Sequence, residues 1–180
     1  MPSIYLLRHC DYENPRQILP GRLPLELSES GKKRAGQLKE IFKDKNISRI
    51  YSSEVLRCKQ TAEIIAAGKI PIIFDKRLLE THSAYQGYWE LDFDHFFKHM
   101  ANLGGETIAD IQARTTDFYE EIKKNLKADE NIIICSHGDP LQAIFAHVYN
   151  LKFSKDKQHL PEAKEFGWLK RGEFFKINLN

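Results

Sequence analysis

Apolar residues along the chain form several short unbroken runs, separated by longer segments in which they recur every three or four positions. A run of four to seven β-compatible apolar residues cannot easily stay exposed, so each run predicts a strand buried on both faces, as in a parallel sheet. The predicted strands cover residues 4–7, 49–52, 70–74 and 131–136. The last of these, with three consecutive isoleucines, is the strongest strand signal in the sequence.

Each segment with helical spacing begins at a recognisable start signal. A serine or threonine before such a segment can accept hydrogen bonds from the free backbone N–H groups of the first turn, and proline suits the first helical position. The first helix is expected to end near residue 42 and the second near residue 67. The start signals are Ser28 for the first helix, Ser52 or Ser53 for the second, Thr107 with Asp110 for the third and Pro140 for the fourth.

The alternation of strands and helices predicts the α/β class, arranged as a three-layer α/β/α sandwich. Residues 166–169 and 173–179 flank Lys170-Arg171-Gly172 and predict a C-terminal hairpin that closes the sheet. We therefore expect a mostly parallel central sheet of about six strands. The length of 180 residues, without a Pro/Gly-rich linker, predicts a single domain over 1–180.

Composition narrows the choice of partners and compartment. The 27 lysines and arginines nearly balance the 25 aspartates and glutamates, which argues against nucleic acid and anionic membranes as partners. No apolar run approaches the roughly 18 to 20 residues of a membrane helix, and the N-terminus lacks a signal-peptide pattern. Three cysteines without paired spacing agree with a reducing compartment, so we expect a cytoplasmic protein.

Residues with chemical potential follow the predicted strands. Arg8 and His9 follow the first strand, Glu80 follows the third and His137 follows the fourth. The carboxyl ends of parallel strands share one edge of the sheet, where α/β proteins bind ligands near a topological switch point. The alternative for the first pair is a strand-end arginine beside a histidine with only a packing role.

Arg57 adds a cation near the start of the second predicted helix. Unpaired N–H groups already make a helix N-terminus positive, so a cation there is disfavoured by roughly 0.3 to 1 kcal/mol unless an anion lies nearby. The anion could be a bound phosphate, or Arg57 could be a surface residue paired with Glu54 or Glu63. Both interpretations are open from the residues alone.

Together these residues describe a pocket for a phosphoryl group. Two guanidiniums present planar forks to phosphate oxygens. One neutral imidazole can attack phosphorus while a second stabilises the equatorial oxygens. A carboxylic acid can protonate the departing alcohol. The five residues are Arg8, His9, Arg57, Glu80 and His137.

Five sequence blocks occur in an order that is typical of one family. They are Leu7-Arg8-His9, the segment 25–31, Tyr51-Ser52-Ser53 with Arg57 and Gln60-Thr61-Ala62, Gly105-Glu106-Thr107 with Arg114, and Ser136-His137-Gly138. With these blocks the chain resembles the histidine phosphatase superfamily, also called the phosphoglycerate mutase-like family, over nearly its whole length. Cys10 stands where that family usually has glycine.

The resemblance implies a catalytic set and a mechanism. His9 would be the nucleophile that becomes phosphohistidine, and Arg8, Arg57 and His137 would complete the phosphate pocket with no metal and no cofactor. Glu80 matches the proton donor by its position after two leucines, with Glu90 as a weaker candidate because Gly87-Tyr88-Trp89-Glu90 arrives about three residues late. Asn14, Gly21, Arg22 and Gly138 are the expected substrate-binding residues.

The expected activity is therefore hydrolysis of a small phosphomonoester. The runners-up are a phosphoglycerate mutase and a phosphohistidine-protein phosphatase, and a non-catalytic phosphate-binding protein is the hypothesis from another class. The irregular loop 11–27 and the segment 82–100, rich in aromatics and histidines, predict a lid over the site without identifying the substrate. A homodimer through the terminal hairpin is one open possibility.

The cysteines invite two further hypotheses. Cys10, Cys58 and Cys135 each lie beside or one position from a proposed site residue, which would allow a metal site. The absence of CxxC spacing and the nearby arginines, which would repel a cation, favour small packing residues instead. Cys10 lies near two cations, so a lowered thiol pKa and easy oxidation are expected there.

Overall fold

A computed structural model describes residues 1–88, 101–151 and 169–179 of the chain. The described residues form one five-stranded sheet in the order β3-β2-β4-β1-β5. The strands are β1 (Ser3–Arg8), β2 (Ile47–Ser52), β3 (Ile72–Phe74), β4 (Asn131–Ser136) and β5 (Phe174–Asn178). The first four strands pair in parallel, and β5 pairs antiparallel with β1 at one edge. The predicted α/β class and mostly parallel sheet are thus confirmed, with five strands in the described ranges.

Within the described ranges, four α-helices cover the sheet in two pairs. They are α1 (Glu29–Phe42), α2 (Leu56–Ala66), α3 (Ile108–Asn125) and α4 (Gly138–Val148). The pair α1 and α2 packs on one face and the pair α3 and α4 on the other, which gives the predicted α/β/α layers. No helix in these ranges has the length and apolarity to cross a bilayer.

The neighbouring interior strands β1 and β4 are apolar between their terminal residues because each is buried on both faces. Along β1, Tyr5 and Leu7 pack against α1 and α2, whereas Ile4 and Leu6 pack against the α3 and α4 side. The same alternation runs along β4, where Ile132 and Ile134 share the face of Ile4 and Leu6. A continuous apolar run is therefore the correct pattern for a strand in the middle of a covered parallel sheet.

The predicted helix starts hold in two cases and fail in two. Ser28 caps α1, and Thr107 with Asp110 forms a full capping box at α3. Neither Ser52 nor Ser53 caps α2, which begins after Val55 without a side-chain cap. Pro140 is the third residue of α4 rather than the first, because the helix already begins after His137.

Part of the expected periphery lies outside the described residues. This applies to Glu90, to most of the predicted lid beyond Tyr88, and to the first strand of the expected hairpin at 166–168. The second strand of the hairpin is β5, preceded by a turn in which Gly172 has a φ of 73°. That positive φ suits glycine because other residues meet a steric penalty there.

Two glycines in α1 make a matched pair for testing how tightly the loop after β1 packs against this helix. A Cβ on Gly31 would lie 2.0 Å from the Asp11 carbonyl oxygen, whereas a Cβ on Gly36 would meet nothing within 4 Å. We expect Gly36→Ala to raise the free energy of unfolding by about 0.5 to 1 kcal/mol through helix propensity. Gly31→Ala should lower it by roughly 1 to 3 kcal/mol through overpacking. Urea unfolding measures both, and equal effects of the two substitutions would contradict the close approach.

Candidate active site

Two histidines lie side by side at the carboxyl edge of the sheet because the strands that carry them are neighbours in register. In the parallel pair β1 and β4, Arg8 lies opposite Ser136, so the next residue of each strand is a histidine. The His9 N–H donates to the Ser136 carbonyl at 3.0 Å. The ring centroids of His9 and His137 are 5.2 Å apart, and both side chains are buried.

The hydrogen bonds of His9 define its tautomer. Its Nδ1 lies 2.8 Å from the Cys10 carbonyl oxygen, which only accepts, so Nδ1 carries the proton. Its Nε2 lies 3.1 Å from Arg57 Nε, which only donates. The neutral ring therefore holds its lone pair on Nε2, directed to the interior of the site.

His137 has the opposite tautomer. Its Nδ1 lies 3.0 Å from Arg57 Nη2 and accepts from that donor, so the proton resides on Nε2. The Nε2–H donates to the Ser53 hydroxyl at 2.9 Å, with Cys58 Sγ at 3.4 Å from the same nitrogen. Ser53 thus orients His137 instead of capping α2.

Arg57 lies between the two imidazoles and is fully buried. As the second residue of α2 it projects inward, donating through Nε to His9 and through Nη2 to His137. The same Nη2 donates to the Gly21 carbonyl at 2.8 Å and lies 3.4 Å from Glu80 Oε2. One guanidinium therefore links two strands, a helix and two loops.

The alternative interpretation of Arg57 as a surface residue is wrong. Glu54 is exposed, and Glu63 forms its ion pair with Lys59 at 3.9 Å. The guanidinium is instead surrounded by site residues, where its charge raises the local positive potential.

Both imidazoles are held neutral. Burial is the largest cause that lowers the pKa of His9 and of His137 well below the usual range, and the adjacent Arg57 charge lowers both pKa values further. The contact of 3.4 Å between His137 Nδ1 and Glu80 Oε2 is consequently not an ion pair of two charged groups.

Glu80 lies at the rim of the site, after a short 3-10 turn that follows β3. Its Oε1 accepts from the Thr81 N–H at 3.0 Å, and its Oε2 is 3.4 Å from both Arg57 Nη2 and His137 Nδ1. Burial, followed by the negative charge of Asp139, raises the pKa of the Glu80 carboxyl to about 7, against the opposing effect of Arg57. A carboxyl group with such a pKa can donate a proton near neutrality.

A network of charged side chains braces the Glu80 loop. Arg22 Nε donates to the Glu80 carbonyl at 2.8 Å, and Arg22 Nη2 forms an ion pair with Glu106 at 3.0 Å. Glu106 also accepts from Arg114 Nε at 2.7 Å and from the His82 N–H at 2.7 Å. Arg22, expected from the sequence to bind substrate, uses these donors to position the backbone of Glu80.

Arg8 connects the site to the C-terminal turn. Its Nη1 donates to the Leu169 carbonyl at 2.8 Å, and its own carbonyl, with that of His9, accepts from the Gly172 N–H. The turn also carries Arg171, whose guanidinium lies 4.5 Å from the centre of the Tyr12 ring. That ring is in turn 5.5 Å from the His9 ring.

The remaining expected substrate residues have mainly local contacts. Asn14 donates to the Ile18 carbonyl at 2.8 Å and accepts from the Ile18 N–H at 3.1 Å, so its amide shapes the loop. Gly21 has a φ of 44°, and a Cβ there would lie 2.5 Å from Gln86 Oε1. Gly138 is the first residue of α4.

The hypothesis of a reactive Cys10 is wrong. The Cys10 side chain is buried, and burial raises the pKa of its thiol to about 11 in spite of nearby Thr61 and Arg34. All three cysteines are free and buried, which fits the packing role. Within ranges 1–88, 101–151 and 169–179, no three histidine, cysteine, aspartate or glutamate side chains are grouped to hold a metal ion.

Several residues of the site were missed by sequence reasoning. Ser53 orients His137, Tyr12 lies beside His9, Glu106 anchors the Glu80 brace, and Asp139 raises the pKa of Glu80. Ser53 and Glu106 stand within the family-like blocks, which was a usable signal. Tyr12 and Asp139 acquire their meaning only from the distances between loops.

The chain is similar to known proteins in sequence and in structure. The family model described as histidine phosphatase superfamily (branch 1) matches residues 4–164. Phosphoserine phosphatase 1 of Hydrogenobacter thermophilus is 29% identical over 169 residues, which cover 86% of this chain and 80% of that protein. A 2,3-bisphosphoglycerate-dependent phosphoglycerate mutase of Arthrobacter is 28% identical over 190 residues, covering 81% of this chain and 77% of the mutase.

Solved structures share the architecture. The mycobacterial glucosyl-3-phosphoglycerate phosphatase superposes with a TM-score of 0.79 at 23% identity, covering 98% of this chain and 89% of that one. At this identity the likeness shows the fold.

The buried neutral histidines predict how stability varies with pH. Below about pH 6.5 the unfolded chain protonates His9 and His137, whereas the folded chain, in which both pKa values are lowered, does not, so each should lower stability by up to about 1.4 kcal/mol per pH unit on acidification. Glu80 offsets the effect of one histidine, because its pKa, raised to about 7, means that the folded chain binds a proton at Glu80 that the unfolded chain lacks. Together, these three groups should lower the stability of the folded chain by about 1.4 kcal/mol per pH unit on acidification below pH 6.

Glu80→Gln removes the proton binding that offsets one histidine, so the loss of stability on acidification should increase to roughly 2.7 kcal/mol per pH unit. His137→Gln should instead reduce this loss. Urea unfolding at several pH values between 5 and 7 measures these slopes. A wild-type stability that rises on acidification in this range would contradict the neutral, buried state of the two rings.

Proposed function

The chain belongs to the histidine phosphatase superfamily, branch 1, and from this membership we propose that it hydrolyses a small phosphomonoester through a phosphohistidine formed on His9. The observation that carries the proposal is the tautomer of His9. A neutral imidazole with its lone pair on Nε2 beside a buried guanidinium is an activated nucleophile next to an anion-binding group.

In the first step, the His9 Nε2 lone pair forms a bond to phosphorus as the ester P–O bond breaks. The Nδ1–H stays hydrogen-bonded to the Cys10 carbonyl, and this bond keeps the ring aligned during the attack. The departing alkoxide takes the proton of Glu80, whose pKa of about 7 keeps a substantial acid fraction near neutrality. The products of this step are the alcohol, the phosphohistidine and the Glu80 carboxylate.

In the second step, a water molecule attacks the phosphohistidine. The Glu80 carboxylate takes a proton from this water, the N–P bond breaks, and inorganic phosphate leaves. His9 regains its Nε2 lone pair and Glu80 its proton, so the enzyme returns to its starting state.

Arg57, Arg8 and His137 would line the phosphoryl group, and the two guanidiniums would stabilise its charge. Arg57 directs Nε and Nη2 to the site, so substrate oxygens would replace the two imidazole nitrogens as acceptors. Arg8 lies at the end of β1 beside His9, with Glu80 and Asp139 in its electrostatic environment. The guanidinium donors supply this stabilisation themselves, which supports a reaction that needs neither a metal nor another cofactor.

The four expected substrate residues keep a place in the proposal with different tasks. The Gly21 carbonyl accepts a hydrogen bond from Arg57, and Arg22 holds the loop that carries Glu80. Gly138 brings the N-terminus of α4 to the phosphate side, where backbone N–H groups favour an anion. Asn14 shapes the loop 14–18 beside the site.

The substrate is expected to be a small phosphorylated metabolite. Relatives named as phosphoserine phosphatase and phosphoglycerate mutase support hydrolysis as the first choice and phosphoryl transfer within a glycerate as the second. A phosphohistidine-protein phosphatase and a non-catalytic phosphate-binding protein remain hypotheses. Product analysis and phosphoenzyme trapping distinguish these functions.

Compartment and assembly are part of the same proposal. The free, buried thiols of all three cysteines support a reducing compartment, and we place the protein in the cytoplasm. Neither nucleic acid nor a membrane is expected as a partner, given the balanced charge. The possible homodimer stays a prediction.

His9→Ala should remove the covalent intermediate and lower the hydrolysis rate at least about 1000-fold, because the nucleophile is lost. The measurement is rapid quench with a ³²P-labelled aryl phosphate, followed by a test for acid-labile, alkali-stable phosphoenzyme. His147→Ala is the matched control, since His147 pairs with Glu120 away from the site. A His9→Ala variant that still forms the phosphoenzyme would exclude His9 as the nucleophile.

A panel of phosphomonoesters should release inorganic phosphate at rates that a chelator leaves unchanged. Incubation with 3-phosphoglycerate should yield glycerate and phosphate faster than 2-phosphoglycerate, as followed by ³¹P NMR. Faster formation of 2-phosphoglycerate would favour the mutase. Tight phosphate binding without turnover of any ester would favour the non-catalytic hypothesis.

A further inference from the structure

Asp139 is an acidic residue close to the phosphate pocket that the proposed reaction steps do not use. It is the second residue of α4 and stands two positions after His137. A carboxylate beside a phosphate site is unfavourable, because like charges repel in a partly buried environment. Its position therefore calls for a physical reason.

The contacts of Thr81 supply that reason. The Thr81 hydroxyl donates to Asp139 Oδ2 at 2.7 Å, and the Thr81 N–H donates to Glu80 Oε1 at 3.0 Å. Thr81 is itself buried and cannot exchange these partners for water. One residue thus joins the Asp139 carboxylate to the Glu80 carboxyl from two directions.

We propose that Asp139 is a positioning residue for Glu80: through Thr81 it fixes the Glu80 carboxyl beside Arg57 and His137, and it places a second negative charge next to that group. The proposal rests on the proposed function, in which Glu80 protonates the departing alcohol.

The two carboxyl groups are expected to divide the roles of acid and anion. Asp139 lies in the first turn of α4, where the helix N-terminus stabilises negative charge, and it accepts the Thr81 O–H. The charge on Asp139 is the second cause, after burial, of the raised pKa of Glu80. Two neighbouring carboxyls whose environments separate their proton affinities form an acid and an anion.

Other charged groups around Glu80 act in the opposite direction or not at all. Arg57 from α2 and Arg8 from β1 lower the pKa of Glu80, and His137 is neutral. Arg22, which binds the Glu80 carbonyl and forms an ion pair with Glu106, also interacts favourably with the Glu80 charge. Asp139 is therefore the charged group that, together with burial, offsets the arginines and leaves Glu80 able to give up a proton near pH 7.

The test is the pH dependence of kcat/KM for Asp139→Asn, which keeps the shape of the side chain and removes its charge. The alkaline limb should move to lower pH by roughly 0.5 to 1 unit, because Glu80 then loses its proton earlier. Titration of the substrate phosphate affects both enzymes equally and cancels in the comparison. Glu29→Gln, which removes a first-turn charge from α1, is the matched control and should leave the limb in place.

The leaving group provides a second readout. An alkyl phosphate needs a proton donor, whereas p-nitrophenyl phosphate releases a stable phenolate and hardly needs one. Above pH 7, Asp139→Asn should lower kcat/KM several-fold for the alkyl ester and little for the aryl ester. Thr81→Val, which removes only the bridging hydroxyl, should lower kcat/KM for the alkyl ester several-fold and kcat/KM for the aryl ester little, because kcat/KM reports the phosphorylation step in which the leaving group departs.

Direct titration separates this proposal from the proposed function. With ¹³C-carboxyl glutamate, and Glu80→Gln to assign the signal, NMR follows the protonation of Glu80 without any turnover. A titration that shifts down in Asp139→Asn supports the coupling even if no ester is hydrolysed. An unchanged Glu80 titration and an unchanged alkaline limb in a folded Asp139→Asn variant would overturn it.

Discussion

The site depends on one buried cation, the guanidinium of Arg57. It donates to the free ring nitrogen of His9 and to that of His137, and burial denies it water. A buried charge is costly unless it is surrounded by acceptors, and here two imidazoles, the Gly21 carbonyl and a nearby carboxyl serve that purpose. Burial is the main cause that disfavours protonation of both rings, and the same charge adds to it, so this interaction sets their orientation and helps to keep them neutral.

The scaffold around this cation is made of elements that are rigid for independent reasons. The strands β1 and β4 pair in register at the centre of a sheet covered on both faces, so the backbones before His9 and His137 have little freedom. The rim is held differently, by ion pairs and side-chain hydrogen bonds between loops, such as the Arg22–Glu106–Arg114 network. A rigid floor and a braced rim suit a reaction in which the reacting atoms must be aligned before bond formation.

The sequence predicted the strand ends that carry the histidines of the site, but it did not predict most of the loop contacts at the rim. The strands, their order along the chain and the residues at their carboxyl ends could be predicted, because a strand covered on both faces needs an unbroken apolar run. The starts of α2 and α4 were misplaced, since Ser53 bonds to His137 and the backbone bends at His137 before Pro140. The roles of Tyr12, Thr81 and Asp139 depend on contacts between distant loops, which local patterns do not encode. Cys10 was misjudged because its burial outweighs the nearby charges.

The turn that carries Gly172 has a consequence for biosynthesis. The Gly172 N–H donates to the carbonyls of Arg8 and His9, and the Leu169 carbonyl accepts from the Arg8 guanidinium, so residues about 160 positions apart meet beside His9. Contacts of such large sequence separation form late, because the intervening chain must be ordered first. On the ribosome, the emerging polypeptide therefore carries its histidines and arginines without a finished pocket until this turn has left the exit tunnel. Folding and catalytic competence would then be gained together, once residues 169–172 can reach β1.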